Sequence, residues 1–241
     1  MRLDQALVGR GLARSRQHAS ELIRSGRVTV DGVVAAKPSA NVGDEADVDA
    51  PVDAYVGRAA HKLLGALADS HTSVHGRVLD AGASTGGFTQ VLLEAGADRV
   101  YAVDVGHGQL AASLRSDPRV VVHEGTNLRD LTLGLVEDEP VDLVVADVSF
   151  ISLRLILAPM LGVLRPEGTA LLMVKPQFEV GRERLGAGGV VREEKDRTAA
   201  VDRVADTARA LGWTEDWRGV SRLPGPAGNV ELFLRLRRTG H

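Results

Sequence analysis

The chain has 241 residues, 44% of them hydrophobic and 3% aromatic, with a formal net charge of −3. That length accommodates one large α/β domain and a small module, whose cores must be filled mainly by aliphatic side chains. With no cysteine, disulfides, thiolate metal sites and a cysteine nucleophile are excluded.

In chain order, positive charge comes first. Residues 1–37 hold Arg2, Arg10, Arg14, Arg16, Arg24, Arg27 and Lys37 against Asp4, Glu21 and Asp31, an excess of four. The acids Asp44, Glu45, Asp47, Asp49 and Asp53 follow at once. A basic head on a nearly neutral body points to a local phosphate-binding patch. The first stretch, MRLDQALVGRGLARSR, lacks the apolar run of a signal peptide. No segment approaches the roughly 20 apolar residues of a membrane span, so no membrane role and a cytoplasmic location are expected.

Leu3, Leu7 and Leu12 predict a short helix that stops around Gly9–Gly11. Ser15 is placed to cap a second helix with Ala19, Leu22 and Ile23 on one face and Arg16 and Arg24 off it. Gly26 ends that helix. Val28-Thr29-Val30, an Asp31-Gly32 type I′ turn and Val33-Val34 then read as a hairpin. The run RLDQALVGRGLARSRQHASELIRSGRVTVDG resembles an S4 domain, an RNA-binding module. That resemblance implies a domain over 1–50 that lays Arg14, Arg16, Arg24 and Arg27 against RNA phosphates by shape and charge. Residues 51–62 read as a linker leading into a helix start. Arg58 there is a further candidate RNA contact, and Lys62 closes the segment.

From residue 63 to 241, apolar strands at Arg77–Asp80, Val100–Val103, Val120–His123, Val141–Ala146, Ala170–Val174 and Val230–Leu236 alternate with helical stretches. The alternation predicts βαβ units and a mainly parallel sheet, which binds ligands at the carboxyl ends of its strands. After the first strand, Asp80-Ala81-Gly82-Ala83-Ser84-Thr85-Gly86-Gly87-Phe88 forms a glycine-rich turn into a helix. Ser84 stands where a dinucleotide fingerprint has its second glycine. This favours S-adenosylmethionine (AdoMet), which has no pyrophosphate to cradle, over a nicotinamide cofactor. Asp104, closing the second strand, is suited to both ribose hydroxyls of either cofactor. Gly108-Gln109-Leu110 beyond it can shape the ribose pocket or simply start a helix.

Two later strands end in Asp147 and Lys175, charges that are costly to bury without partners. The stiff turn Leu223-Pro224-Gly225-Pro226-Ala227-Gly228-Asn229 is expected to bring Glu231 beside them. An ion pair at the sheet's lip and a catalytic group are both compatible with this pattern.

The motifs GRAAHKL, DAGASTGGFTQVLL, VADVSFISL, VKPQFEVG and PGPAGNVELFL, in that order behind the S4 pattern, resemble the TlyA (haemolysin A) family across nearly the whole chain. The resemblance implies a Rossmann-like class I AdoMet-dependent methyltransferase fold, a doubly wound seven-stranded sheet of FtsJ type, with the small α+β S4 domain in front. It implies 2′-O-methylation of cytidine in ribosomal RNA within ribosomal subunits, an effect on susceptibility to capreomycin-type antibiotics, and no metal. The family's Lys-Asp-Lys-Glu tetrad falls on Lys62, Asp147, Lys175 and Glu231. Cofactor contacts fall on Asp80 through Phe88 apart from Ala81 (that is, Asp80, Gly82, Ala83, Ser84, Thr85, Gly86, Gly87 and Phe88), with Asp104 and Asp147. For mechanism, Lys175 is the expected base, Lys62 a second cation that guides the ribose, Asp147 the orienter of Lys175, and Glu231 the holder of a lysine or the ribose. Gly181–Arg197, glycine-rich at its centre, reads either as a mobile flap over the RNA site or as an ordered surface excursion. A ribosome-assembly factor without catalysis and a haemolysin-like membrane activity are the competing readings.

Overall fold

The computed structural model describes residues 1–13, 15–51 and 54–238, and the chain divides into two compact units, Met1–Val56 and Gly57–His241. Arg14, part of the expected linker and the last three residues therefore lie outside the described residues.

The first unit has helices α1 (Leu3–Gly9) and α2 (Arg16–Arg24) and three short strands, β1 (Thr29–Val30), β2 (Val33–Val34) and β3 (Val48–Asp49). The Ser15 hydroxyl accepts the His18 amide at 3.1 Å, satisfying one of the free donors of α2. Gly26, at φ 70°, takes the left-handed conformation that ends this helix. Asp31 and Gly32 both have positive φ, as a type I′ turn requires, and set Val30 opposite Val33. Leu3, Leu7, Leu22, Ile23 and Val28 fill the core. Leu12 does not continue α1 as its spacing suggested. It lies past the break at Gly11 and packs on the core from outside. Strand β3, paired with β1 through Thr29 and Asp49, was not expected. Two residues inside an acidic run carry no periodic signal.

In the second unit, α3 (Ala59–Ser70) leads to β4 (Arg77–Ala81), α4 (Gly87–Glu94), β5 (Arg99–Val103), α5 (Ala112–Arg115), β6 (Val120–His123) and β7 (Val141–Ala146). Then come α6 (Leu157–Gly162), β8 (Leu164–Val174), α7 (Pro176–Glu179), α8 (Glu194–Ala210), β9 (Trp213–Val220) and β10 (Leu232–Arg238). The seven strands lie in the order β6-β5-β4-β7-β8-β10-β9. Six run in one direction, and β10, antiparallel to both β8 and β9, is the reversed strand. Order reverses at β4, so β4 and β7 flank the switch point where such sheets bind ligands.

Alternate strand residues face opposite layers. Leu79, Tyr101, Val144, Ala170 and Leu234 pack with Leu157 and Met160 of α6 and Val201, Val204 and Ala208 of α8. Phe233 faces the other way and stacks on Phe88 of α4, ring centroids 6.4 Å apart. Helices thus cover both faces, which explains why the central strands read as unbroken apolar runs.

The structure corrects two sequence expectations here. β9 was missed, because WTEDWRGV mixes charge and glycine on an edge strand, where exposed charges protect the free edge. The last strand starts at Leu232, so Glu231 sits in the turn before it. Among the described residues no helix is long and apolar enough to cross a membrane. Ser15→Ala should lower the stability of the first unit by about 1 kcal/mol. Hydrogen exchange would register this as faster amide exchange across α2 with no change in α8.

Candidate active site

At the switch point, backbone geometry does most of the shaping. Gly82 has φ 89°, and a Cβ there would stand 2.6 Å from the Asp147 carbonyl oxygen. Only glycine lets the ends of β4 and β7 approach this closely. Ser84 follows with φ 47°; its amide donates to Asp104 Oδ2 at 2.8 Å and its hydroxyl to Gln109 Oε1 at 3.1 Å. The Gly106 amide donates to Asp104 Oδ1 at 2.7 Å. Asp104 is thus fixed by two backbone donors, and each oxygen keeps acceptor capacity for a ribose hydroxyl.

A cavity of about 590 Å³ opens here, bounded by Gly82, Ser84, Asp104 and Gln109 on one side and by Asp147 to Ile151 on the other. Its size suits a nucleoside-bearing cofactor. Of the remaining glycine-turn residues, Ala83, Gly86, Gly87 and Phe88 are buried beneath the cavity and Thr85 is exposed away from its lining. Leu110 and Leu114 close over Gly86 and Phe88 belongs to the core, which is why these positions shape the turn rather than its surface. Thr126, Asn127 and Leu128, beyond β6, also line the cavity and were missed. Their signal was positional only, the residues just past a strand end in a doubly wound sheet.

Asp80 lies fully buried under the turn. Its Oδ2 accepts the Thr89 hydroxyl at 2.6 Å, and Oδ1 has no hydrogen-bond partner among the described residues. Burial pushes this carboxyl up to about 7, against the pull of the Thr89 bond and with a smaller push from Asp147.

The four candidate catalytic side chains form two ion pairs. Lys62, in the first turn of α3, reaches Glu231 Oε2 at 2.5 Å, with both side chains at most 5% exposed. Gly225 makes room for this, since a Cβ there would stand 2.6 Å from Glu231 Oε1. Arg58, a candidate RNA contact, donates to the Pro224 carbonyl at 2.7 Å and so braces the same turn. Lys175 reaches Asp147 Oδ1 at 2.6 Å and donates to Ser149 Oγ at 2.8 Å. The register that sets Leu232 opposite Val174 brings the next residues, Glu231 and Lys175, to the same end of neighbouring strands. Glu231, leading into the strand beside the one that ends at Lys175, bonds the other lysine, Lys62.

Between Asp147 and the following turn, Phe150 stands 91% exposed at φ 65°. For a bulky residue that conformation costs about 1–3 kcal/mol. Its ring lies 5.4 Å from that of Phe178. The segment read either as a flap or as an ordered excursion is tied down: Val191 is buried, and Asn229 accepts its amide at 2.9 Å while donating to the Gly189 carbonyl at 3.1 Å. Its last residues, Glu194–Arg197, form the first turn of α8. Among the described residues no group of three or more His, Asp or Glu side chains is placed to hold a metal ion.

In the first unit, Arg16, Arg24 and Arg27 are exposed. Arg16 shares Asp4 with Arg2, at 3.4 Å and 2.8 Å. The Arg2 hydrogen bonds hold the Asp4 carboxyl down at about 2. Arg27 bonds Ser25 Oγ at 3.1 Å.

Residues 55–238 match the family described as FtsJ-like methyltransferase, and residues 1–48 match the S4 domain. The chain is 53% identical to the 16S/23S rRNA (cytidine-2′-O)-methyltransferase TlyA of Mycobacterium tuberculosis, over 98% of this chain and 89% of that protein. It is 37% identical to the 23S rRNA (cytidine-2′-O)-methyltransferase TlyA of Campylobacter jejuni, over 79% and 74%. A solved structure from Streptococcus thermophilus that carries a hemolysin name superposes with TM-score 0.80 at 36% identity, covering 99% of this chain and 88% of that one.

The raised Asp80 pKa has a defined consequence. Between the ordinary carboxylate range near 3.8 and about 7, the unfolded chain has released this proton and the folded one retains it. Stability from this group is therefore full at low pH and falls as pH rises through that window. Asp80→Asn, which keeps the acceptor for Thr89, should flatten the fall in melting temperature between about pH 5 and pH 7.5. Melting curves of both proteins across that range provide the comparison; identical slopes would refute it.

Proposed function

The chain belongs to the FtsJ-like methyltransferase family, and on that premise we propose that it transfers the AdoMet methyl group to a cytidine 2′-hydroxyl of ribosomal RNA within ribosomal subunits. The observation that carries the reading is that Asp147–Lys175 and Lys62–Glu231 lie at the carboxyl ends of the neighbouring strands β7 and β8 and the start of β10, with Asp147 also lining the nucleoside-sized cavity.

AdoMet, when bound, supplies a methyl group activated by its sulfonium. Gly82 and Ser84 would shape the floor for it, and Asp104 would take its ribose. The chain's own work is to hold a poor nucleophile in line and receive its proton. Orientation of this kind contributes about 7–11 kcal/mol in favourable cases. Lys175 would first release one proton to solvent; as the new O–C bond forms and the S–C bond breaks, its neutral amine then receives the hydroxyl proton. Asp147, 2.6 Å from Lys175, stabilises the ammonium so formed. Lys62, a buried cation fixed by Glu231, would guide the ribose. Exposed Phe150 offers a ring face to a base at the cavity mouth. The S4 unit would supply phosphate contacts through Arg16, Arg24 and Arg27, and Arg14 from outside the described residues. We further propose that ribosomes so modified become more susceptible to capreomycin-type antibiotics.

Labelled AdoMet incubated separately with unmethylated small and large subunits, followed by mapping of the modified nucleotide, tests the assignment. Label in a cytidine ribose is the expected result; none in either subunit would sink it. Lys175→Ala should abolish transfer and leave AdoMet affinity within about threefold of wild type. The Lys62–Glu231 pair needs a control, because a buried ion pair can be purely structural. Removing one partner should cost about 3–5 kcal/mol, while joint replacement by apolar residues is often neutral. Lys62→Met with Glu231→Leu should therefore restore most of the melting temperature lost by Lys62→Met alone. Transfer should stay off in both; activity in the double variant would show the pair to be structural only.

A further inference from the structure

We propose that Glu179 is a positioning residue for methyl transfer, fastening the loop that carries Asp147 to the helix that follows Lys175. The inference rests on the methylation reading and deepens it. Glu179 closes α7, four residues past Lys175, and is 8% exposed. Its Oε2 accepts the Ser152 hydroxyl at 2.6 Å, and its Oε1 accepts the Leu153 amide at 2.7 Å. Ser152 Oγ also accepts the Arg154 amide at 3.3 Å, capping the turn Leu153–Leu155. One carboxylate thereby fixes the whole start of that turn.

From Ser152 the chain runs back through Ile151, Phe150 and Ser149 to Asp147. Three further contacts join this loop to the segment after β8. Asp147 and Ser149 both engage the Lys175 ammonium, and Phe150 packs on Phe178. Phe178 directly precedes Glu179. A left-handed phenylalanine persists only where its surroundings over-determine it, and the Glu179 clasp supplies the fixed point beyond it. Without that anchor, Phe150 is free to relax to an ordinary conformation, taking Ser149 and Asp147 with it.

The chemistry of the residue fits the task. A hydroxyl and a backbone amide both donate into one buried place, and a carboxylate offers two acceptor oxygens to receive them. Burial raises the Glu179 pKa, opposed by the Ser152 and Leu153 bonds and by Arg154 and Arg203 nearby. Glu179 does not line the cavity, so it acts through the loop and not on the reacting atoms.

The test compares Glu179→Ala, Glu179→Gln and Ser152→Ala in single-turnover methylation of ribosomal subunits, with AdoMet affinity by calorimetry and melting temperature beside it. Displacing catalytic groups by about 1 Å can slow a reaction about 100-fold, the loss expected for Glu179→Ala. AdoMet affinity, set chiefly by Asp104 and the glycine turn, should move less than about threefold. Glu179→Gln should stay within about threefold of wild type, its amide oxygen accepting the Leu153 amide and its NH₂ donating to Ser152. Ser152→Ala introduces no unpaired charge and should lose about 10-fold, and adding it to Glu179→Ala should cost little more. A wild-type rate in Glu179→Ala would overturn the proposal. So would a Gln variant as slow as the Ala variant, or a rate loss matched by equal loss of AdoMet affinity. Inactive wild-type protein would overturn the methylation reading as well; active wild type confines any failure to Glu179.

Discussion

A buried lysine held by a buried glutamate across 169 positions of chain is the constraint around which the larger unit closes. Lys62 comes from its first helix and Glu231 from the turn before its last strand. Neither charge is tolerable alone at that depth, since breaking such a pair leaves an uncompensated ion in a low-dielectric interior. The turn is built to serve the pair. Gly225 leaves the space Glu231 occupies, and Arg58, four residues before Lys62, holds the Pro224 carbonyl. The beginning and the end of the domain are thereby joined at the place where substrate chemistry is expected.

The same economy governs the switch point. Gly82 brings the ends of β4 and β7 together, so the floor of the cavity and the support of Asp147 are one piece of backbone. Asp104 is held from both sides by amides of its own and the neighbouring loop. Such a site performs its chemistry by fixed geometry, with charges already oriented before a substrate enters. The strained Phe150 belongs to this logic. Its conformation is maintained by contacts on both sides, and in exchange an aromatic ring stands in solvent beside Asp147.

In the small unit, charge counted along the chain overstates the charge available to a polyanion. Arg10 donates to the carbonyls of Ala46, Gly43 and Asp44, closing the loop onto α1, and Arg2 and Arg16 share the buried Asp4. Arg24 and Arg27 are less encumbered. Phosphate recognition would then draw on a few oriented guanidinium groups, consistent with reading folded RNA by shape.

Much of this was legible in the sequence, for identifiable reasons. The hairpin at Asp31-Gly32, the Ser15 cap and the apolar strands Val120–His123 and Val141–Ala146 follow from local sterics and periodicity, which act over a few residues. The glycine turn and Asp104 were placed by the rule that nucleotide sites form at strand ends. Edge strand β9 and the two-residue β3 were not, because strands defined by their partners leave no pattern of their own. Tertiary structure alone decided that Glu231 holds Lys62, that Arg58 braces a turn, that Asn229 clasps Gly189 and Val191, and that Glu179 joins two loops. Those pairings depend on register between β8 and β10 and on where buried donors lack acceptors, quantities that come into existence only once distant stretches of chain have packed.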